Sequence, residues 1–402
     1  MRLRLAPFLL PLALALAACG GSGRGSPTPA VTPASTPAPD IIIPAGAPIT
    51  IGISAALTGD QQSIGQDIAD AASLAVADRG ASVQGHAVTV VRRDDGCTDA
   101  EKAVAVARSF IGDPAVAGVI GPMCTTGAQA ADRLYEAAHM VHISPSATRV
   151  ELSQQGERYF FRTAWRDDQQ ATVQARYARG VAKAARAVVV DDGEPYGKEL
   201  ARAFVQAFES LGGAVPARER VSLGTGDFSA IVRRITAAKP DLVVFEGLDP
   251  EAALLVKELR TQQYRGTFMA PDGALSVRDF VQAAGAAAEG AIISGGPQPD
   301  GAFIAKFQAR FQRAPDSAFV LESYDAASVL FAAVDAVATP GPGGSLRIDR
   351  AKLAAALRGE KMLGLTGAIS FDAHGDRAGD TAADAGLVLY RVTDGRFVPV
   401  PG

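Results

Sequence analysis

An α/β fold of two doubly wound, parallel-sheet lobes is what this chain predicts, and three observations carry the prediction. From residue 49 onward, short Val- and Ile-rich runs alternate with helix-like stretches almost without exception. A fresh strand-helix series begins near Arg186. The chain then ends in TGAISFDAHGD and AGLVLYRVTDGRFVPV, which read as closing β elements that a single (β/α)8 barrel would not need.

The first nineteen residues read as an export signal. Arg2 and Arg4 precede an apolar stretch from Leu5 to Ala18, too short to span a bilayer and interrupted by Pro7 and Pro11. It ends Leu16-Ala17-Ala18-Cys19-Gly20, which resembles the lipobox of bacterial lipoproteins and implies removal of residues 1 to 18 and acylation of Cys19. The alternative is a plain signal peptide cut elsewhere. Residues 20 to 48 are dominated by Gly, Ser, Pro, Thr and Ala, with prolines at 27, 29, 33, 37, 39, 44 and 48. Such composition builds no core. Residues 19 to 48 are therefore expected to be a lipidated Cys and a disordered tether with a reach on the order of 30 Å.

The body follows in order. ITIGISAAL (49 to 57) is the first strand, with a helix from about Gly65 to Arg79. HAVTVVRRD (86 to 94) is the next strand, and Thr98, with Glu101 three residues on, predicts the N-cap and capping box of a helix to about Ile111. VAGVIG, MVHIS, AVVVDD, DLVVFEG, GTFMAP and GAIISG continue the series as short runs suited to buried parallel strands.

Cys97 and Cys124 each follow such a strand, so both are expected at carboxyl ends of one sheet, the edge where open α/β sheets bind ligands. With three Cys in the chain and Cys19 in the leader, these two read as one disulfide formed in an oxidising compartment. The alternative is a pair of buried free thiols.

Composition argues against several functions. The 39 basic side chains include Arg2 and Arg4 of the leader, stand against 43 acidic ones and form no clusters, which gives no support for nucleic-acid binding. The four His lack the company that a metal or a catalytic base requires, and no Gly-x-Ser-x-Gly elbow occurs. Gly193 to Lys198 has one residue too few between its glycines for a phosphate loop, and Glu199 replaces the hydroxyl residue. An enzyme is not expected, and neither a cofactor nor a metal is implied.

The stretch DDGCTDAEKAVAVARSFIGDPAVAGVIGPMCTTGAQAADRLYEAAHMVHISPSATRVELSQQG (94 to 156), with DGEPYGKELARAF, TGDFSAIVRRI and FMAPDG further on, closely resembles the branched-chain amino-acid (Leu/Ile/Val) binding proteins of ABC transporters. The resemblance covers nearly everything after residue 48. It implies the type I periplasmic-binding-protein fold, with two lobes joined by three crossovers around a cleft that closes on its ligand. Residues 49 to 164 plus about 296 to 377 would then form lobe 1, and 165 to 295 plus about 378 to 402 lobe 2.

An amino acid arrives as a zwitterion, so the cleft must offer donors at one end and an anion at the other. Thr125 and Thr126 follow a strand and start a helix, where hydroxyls and free amides can meet a carboxylate; ordinary N-capping is the simpler explanation. By family carry-over, Ser146 and Thr148 in the Ser-Pro-Ser-Ala-Thr turn contact the ligand, Tyr196 closes over it, and Asp272 takes the position where the family usually has a Glu facing the ligand's ammonium. Ile64 and Leu248 stand where leucine-type binders often have tyrosines, so they are candidates for specificity, and Trp165 is a candidate to border the cleft. The resemblance also implies an amino-acid ligand, a membrane permease with separate ATPase subunits as partner, a monomer, and attachment to a bacterial membrane through the lipid alone. The alternative within the same fold is a sensor of a short amide, urea or aromatic acid.

Overall fold

The computed structural model describes residues 39–379 and 386–401, so the leader, Cys19 and most of the tether lie outside it. Two large sheets organise the described chain. The first has six strands in the order Ser82–Val83, His86–Asp94, Ile49–Ala55, Val116–Ile120, His142–Ser144 and Phe160–Arg162, parallel except for the short outer Ser82–Val83 strand. Ile49–Ala55 pairs on one side with Val88 to Asp94 and on the other with Val116 to Ile120. The strand order therefore reverses beside Ile49–Ala55, and a crevice opens at the carboxyl ends of the strands there.

The second sheet has seven strands, ordered Arg396–Val400, Val388–Thr393, Ile292–Gly295, Thr267–Ala270, Leu242–Glu246, Arg186–Asp191 and Ala214–Arg220. Its inner strands are parallel, and the Val388–Thr393 and Arg396–Val400 hairpin adds antiparallel strands at one edge. Its central strands are buried along their length and mostly apolar, with Glu246 and Ser294 as polar residues toward their carboxyl ends, as expected for a sheet covered on both faces. Among the covering helices, Gln62–Asp78 packs on Val320–Val337 beside the first sheet, and Asp167–Gly180 packs on Pro195–Ser210 beside the second. The chain passes between the sheets near residues 163 to 166, again near 296 to 300, and a third time between Arg377 and Val388.

Cys97 and Cys124 are joined, with their Cα atoms 5.0 Å apart, and they follow the two strands that flank Ile49–Ala55 in the first sheet. Closing that loop is worth roughly 3 to 4 kcal/mol by chain entropy. Two local expectations need correction. The helix after Cys97 is Ala100–Ile111 and its N-cap is Asp99, not Thr98, because the Asp99 carboxylate accepts from Lys102 N at 3.0 Å. The tether does not extend to residue 48, since Ile41–Ile43 forms a strand antiparallel to Leu346–Ile348, with Ile41 and Ile43 buried. The alternation of the strand buries Ile41 and Ile43 there and leaves Ile42 facing outward, burial that sets this stretch apart from the Pro-, Gly- and Ala-rich residues around it.

Candidate functional site

The crevices of the two sheets face each other and enclose about 510 Å³ not filled by protein atoms, the open mouth included. Ile64, Thr125, Thr126, Ser146, Tyr196, Leu248 and Asp272 all line it, so most of the residues singled out from sequence converge on one cavity.

On the first wall, Thr125 and Thr126 open the helix Thr125–Ala137, whose N-cap residue Cys124 makes no side-chain capping bond. The amides of the first turn thus have no capping side chain, and Thr125 and Thr126 line the cavity there, a setting that favours an anion. Cys124 is committed to the disulfide, which explains why a residue without a capping oxygen occupies the cap. Ser146 donates its hydroxyl proton to Met123 O at 2.7 Å, which leaves its oxygen as an acceptor on the same wall.

The second wall carries acids. Asp272 follows the strand Thr267–Ala270 and is buried. Tyr196, in the first turn of Pro195–Ser210, donates to Asp272 Oδ1 at 2.6 Å, and the Trp165 indole N–H reaches Asp272 Oδ2 at 3.2 Å. Burial pushes the Asp272 carboxyl up to about 6, with the donors from Tyr196, Gln170 and Trp165 pulling the other way. No hydrogen bond or ion pair links Asp272 to an Arg or Lys among the described residues, so the acid is supplied with donors but not with a counter-charge.

Two residues stand apart from the expected arrangement. Thr148 is fully buried and does not line the cavity; its hydroxyl adjoins the buried Asp167 carboxyl behind the wall. Trp165 does not border the cleft either. It is buried, with its N–H shared between Gln170 Oε1 at 2.8 Å and Asp272, and so reaches the cavity only through Asp272.

The sequence reading missed Gln61, Met123, Asp192, Glu194 and Phe319, which also line the cavity. Asp192 was legible as the second acid of AVVVDD at a strand end. Burial pushes it up to about 7, and its Oδ2 has no partner. Glu194 and Gln61 act across the cleft. Thr126 Oγ1 donates to Glu194 Oε2 at 3.4 Å, and Gln61 Nε2 to Asp249 Oδ1 at 3.3 Å, so each bond joins one sheet's lobe to the other's. Ile64, Met123, Leu248 and Phe319 give the cavity an apolar face, and Thr98, the Cys97–Cys124 disulfide and Gly273 complete its lining.

Two lobes closed over a small cavity, with free helix amides on one wall and a buried acid on the other, define a solute-binding protein of the closing-cleft class. The chain belongs to the periplasmic binding protein family, whose model matches residues 48–396. It is 32% identical over 307 residues to Leu/Ile/Val-binding protein homolog 1 of Brucella melitensis, a match covering 74% of this chain and 81% of that protein. Among solved structures it is similar to a leucine binding protein from Thermotoga maritima, with a TM-score of 0.78 at 24% identity over 88% of this chain and 98% of that one. It is also similar to an ABC-transporter solute binding protein from R. palustris in complex with benzoate, with a TM-score of 0.76 at 21% identity over 88% and 96% of the two chains. Among the described residues no helix is long and apolar enough to cross a membrane, and no group of three or more His, Cys, Asp or Glu is placed to hold a metal ion.

Proposed function

We propose that this protein captures an α-amino acid with an apolar side chain, branched-chain or of similar size, and delivers it to a membrane permease driven by separate ATPase subunits. The observation that carries the reading is the placement of buried Asp272 in the same cavity as the Thr125 helix terminus, with Ile64, Met123, Leu248 and Phe319 giving it an apolar face. The ligand's carboxylate meets the amides and hydroxyls of Thr125 and Thr126, and Ser146 supplies a further polar contact. Its ammonium pairs with Asp272, whose acceptor geometry Tyr196 fixes. Its side chain packs on Ile64, Met123, Leu248 and Phe319.

Ligand bridging the two walls shifts the open-closed equilibrium, and the Thr126–Glu194 and Gln61–Asp249 bonds add to the closed form that docks on the permease. The role is binding without turnover. The chain acts as a monomer, exported and held at a bacterial membrane through acylated Cys19, with residues 20 to 38 as the tether.

A second reading, a carrier or sensor of an aromatic acid, draws on the benzoate-bound relative. Asp272 weighs against it, since an anionic or neutral ligand leaves that buried carboxylate without a positive partner. Calorimetric titration of the purified body with the twenty amino acids, small amides, urea and benzoate separates the two. Micromolar or tighter binding of Leu, Ile or Val supports the first reading; binding of benzoate or an amide alone rejects it.

A further inference from the structure

Trp165 is the only tryptophan of the chain, and its surroundings are unusual for a core residue. It lies on the first passage between the sheets, between Phe160–Arg162 and Asp167–Gly180. Its single N–H is shared between Gln170 Oε1 at 2.8 Å and Asp272 Oδ2 at 3.2 Å. Gln170 is itself oriented, because its Nε2 donates to Ser294 Oγ at 2.9 Å, so its carbonyl oxygen is the end turned toward the indole. The ring stacks on Phe319, with centroids 5.2 Å apart at 26°, and Phe319 lines the cavity from the first lobe. On the second passage, a Cβ at Gly296 would lie 3.0 Å from the indole Cζ3 and closer still to Glu322 Oε1, so only glycine fits against the indole there. One side chain therefore touches a wall residue of each lobe and two of the connecting passages.

The groups that face Asp272 are Tyr196 on Pro195–Ser210, Asp167 on Asp167–Gly180, Glu246 at the end of Leu242–Glu246 and Glu322 on Val320–Val337. The last three are acids that burial drives toward their neutral forms, and none of the four is a cation. Hydrogen-bond donors are then the means by which the protein favours a charged Asp272 before a ligand arrives.

We propose that Trp165 is a positioning residue for ligand capture: its N–H holds the Asp272 carboxylate charged and aimed at the cleft, while its ring ties that carboxylate to the closed arrangement through Phe319 and Gly296. The proposal rests on the reading of Asp272 as the partner of the ligand's ammonium. Phenylalanine at 165 keeps most of the stack and removes the N–H, so it separates the polar role from the packing role.

The test uses the whole mature protein. Without ligand, the emission of the lone tryptophan is followed from pH 8 to pH 4 in the wild type and in Asp272→Asn. The expected result is a wave near pH 6 in the wild type that vanishes in the variant. Emission that ignores pH, or the same wave in both proteins, overturns the proposal. L-leucine binding by Trp165→Phe and wild type is then measured by calorimetry at a series of pH values. The variant is expected to bind about ten- to hundredfold more weakly at neutral pH, as for loss of a hydrogen bond to a charged group. The acid limb of its binding profile is expected to move to higher pH. An equal loss at every pH would assign Trp165 a packing role only and overturn the proposal. If the wild type binds no α-amino acid, the functional reading fails, and the ligand-free emission titration still decides whether the indole holds Asp272.

Discussion

Tyr196 Oη donates to Asp272 Oδ1 at 2.6 Å, and the bond ties the helix after one strand of the second sheet to the turn after another. The phenol cannot serve as an ion here, because burial and the adjacent Asp272 hold its own titration well above the ordinary tyrosine range. It acts as a fixed donor. Replacing it with phenylalanine is expected to weaken amino-acid binding about ten- to hundredfold, since the acceptor is charged, while the melting temperature moves little. A calorimetric titration of Tyr196→Phe against wild type measures this.

The cleft and its surroundings hold several buried acids, and the ligand-free protein is therefore expected to lose stability as pH rises. Burial pushes Asp192 up to about 7 and Asp249 and Glu322 up to about 8. Each keeps a proton in the folded state that it would release on unfolding once the pH exceeds the ordinary carboxylate value. The folded state thus binds more protons between about pH 4 and pH 8, and stability falls as pH rises through that window. Asp94, held down at about 2 by its donors Lys102, Thr58 and two backbone amides despite some desolvation, works in the opposite sense and only below pH 4. Scanning calorimetry of the ligand-free protein from pH 5 to pH 8.5 is expected to show a falling melting temperature, with a shallower slope in Glu322→Gln.

Ile41 and Ile43 seat a short strand on Leu346–Ile348, and their side chains are buried. A chain beginning at residue 45 should be less stable than one beginning at residue 39, by roughly 2 to 5 kcal/mol for each buried isoleucine removed. Urea unfolding of the two chains checks this. Equal midpoints would return these residues to the tether.

Much of this was legible in the sequence, for identifiable physical reasons. Buried parallel strands are continuous apolar runs, so the two strand-helix series could be read directly, and Cys97 and Cys124 fell after strands at the same edge of one sheet. Asp272, Tyr196 and Thr125 were readable because each follows a strand in a motif with family precedent. What escaped depended on partners far away in the chain. Ile41–Ile43 looked like part of a Pro-rich tether because its pairing strand is some 300 residues on. Gln61 and Phe319 on one wall and Glu194 on the other are distant in sequence and meet only through the fold, and Thr148 lies buried behind the cavity. The choice of Asp99 over Thr98 as N-cap is a one-residue question that loop geometry decides.

The central claim is that the buried carboxylate of Asp272 receives the ammonium of an amino acid, and isothermal calorimetry of wild type and Asp272→Asn with L-leucine tests it most directly. 4-Methyl-2-oxopentanoate, which has the same side chain and carboxylate but no ammonium, serves as the control. The account predicts that wild type binds leucine at micromolar strength or better and the control poorly. It also predicts that Asp272→Asn loses about a hundredfold or more for leucine while changing little for the control, as expected when one partner of a buried charge pair is removed. Leucine binding that survives Asp272→Asn unchanged, or wild-type preference for the oxo acid, would contradict it.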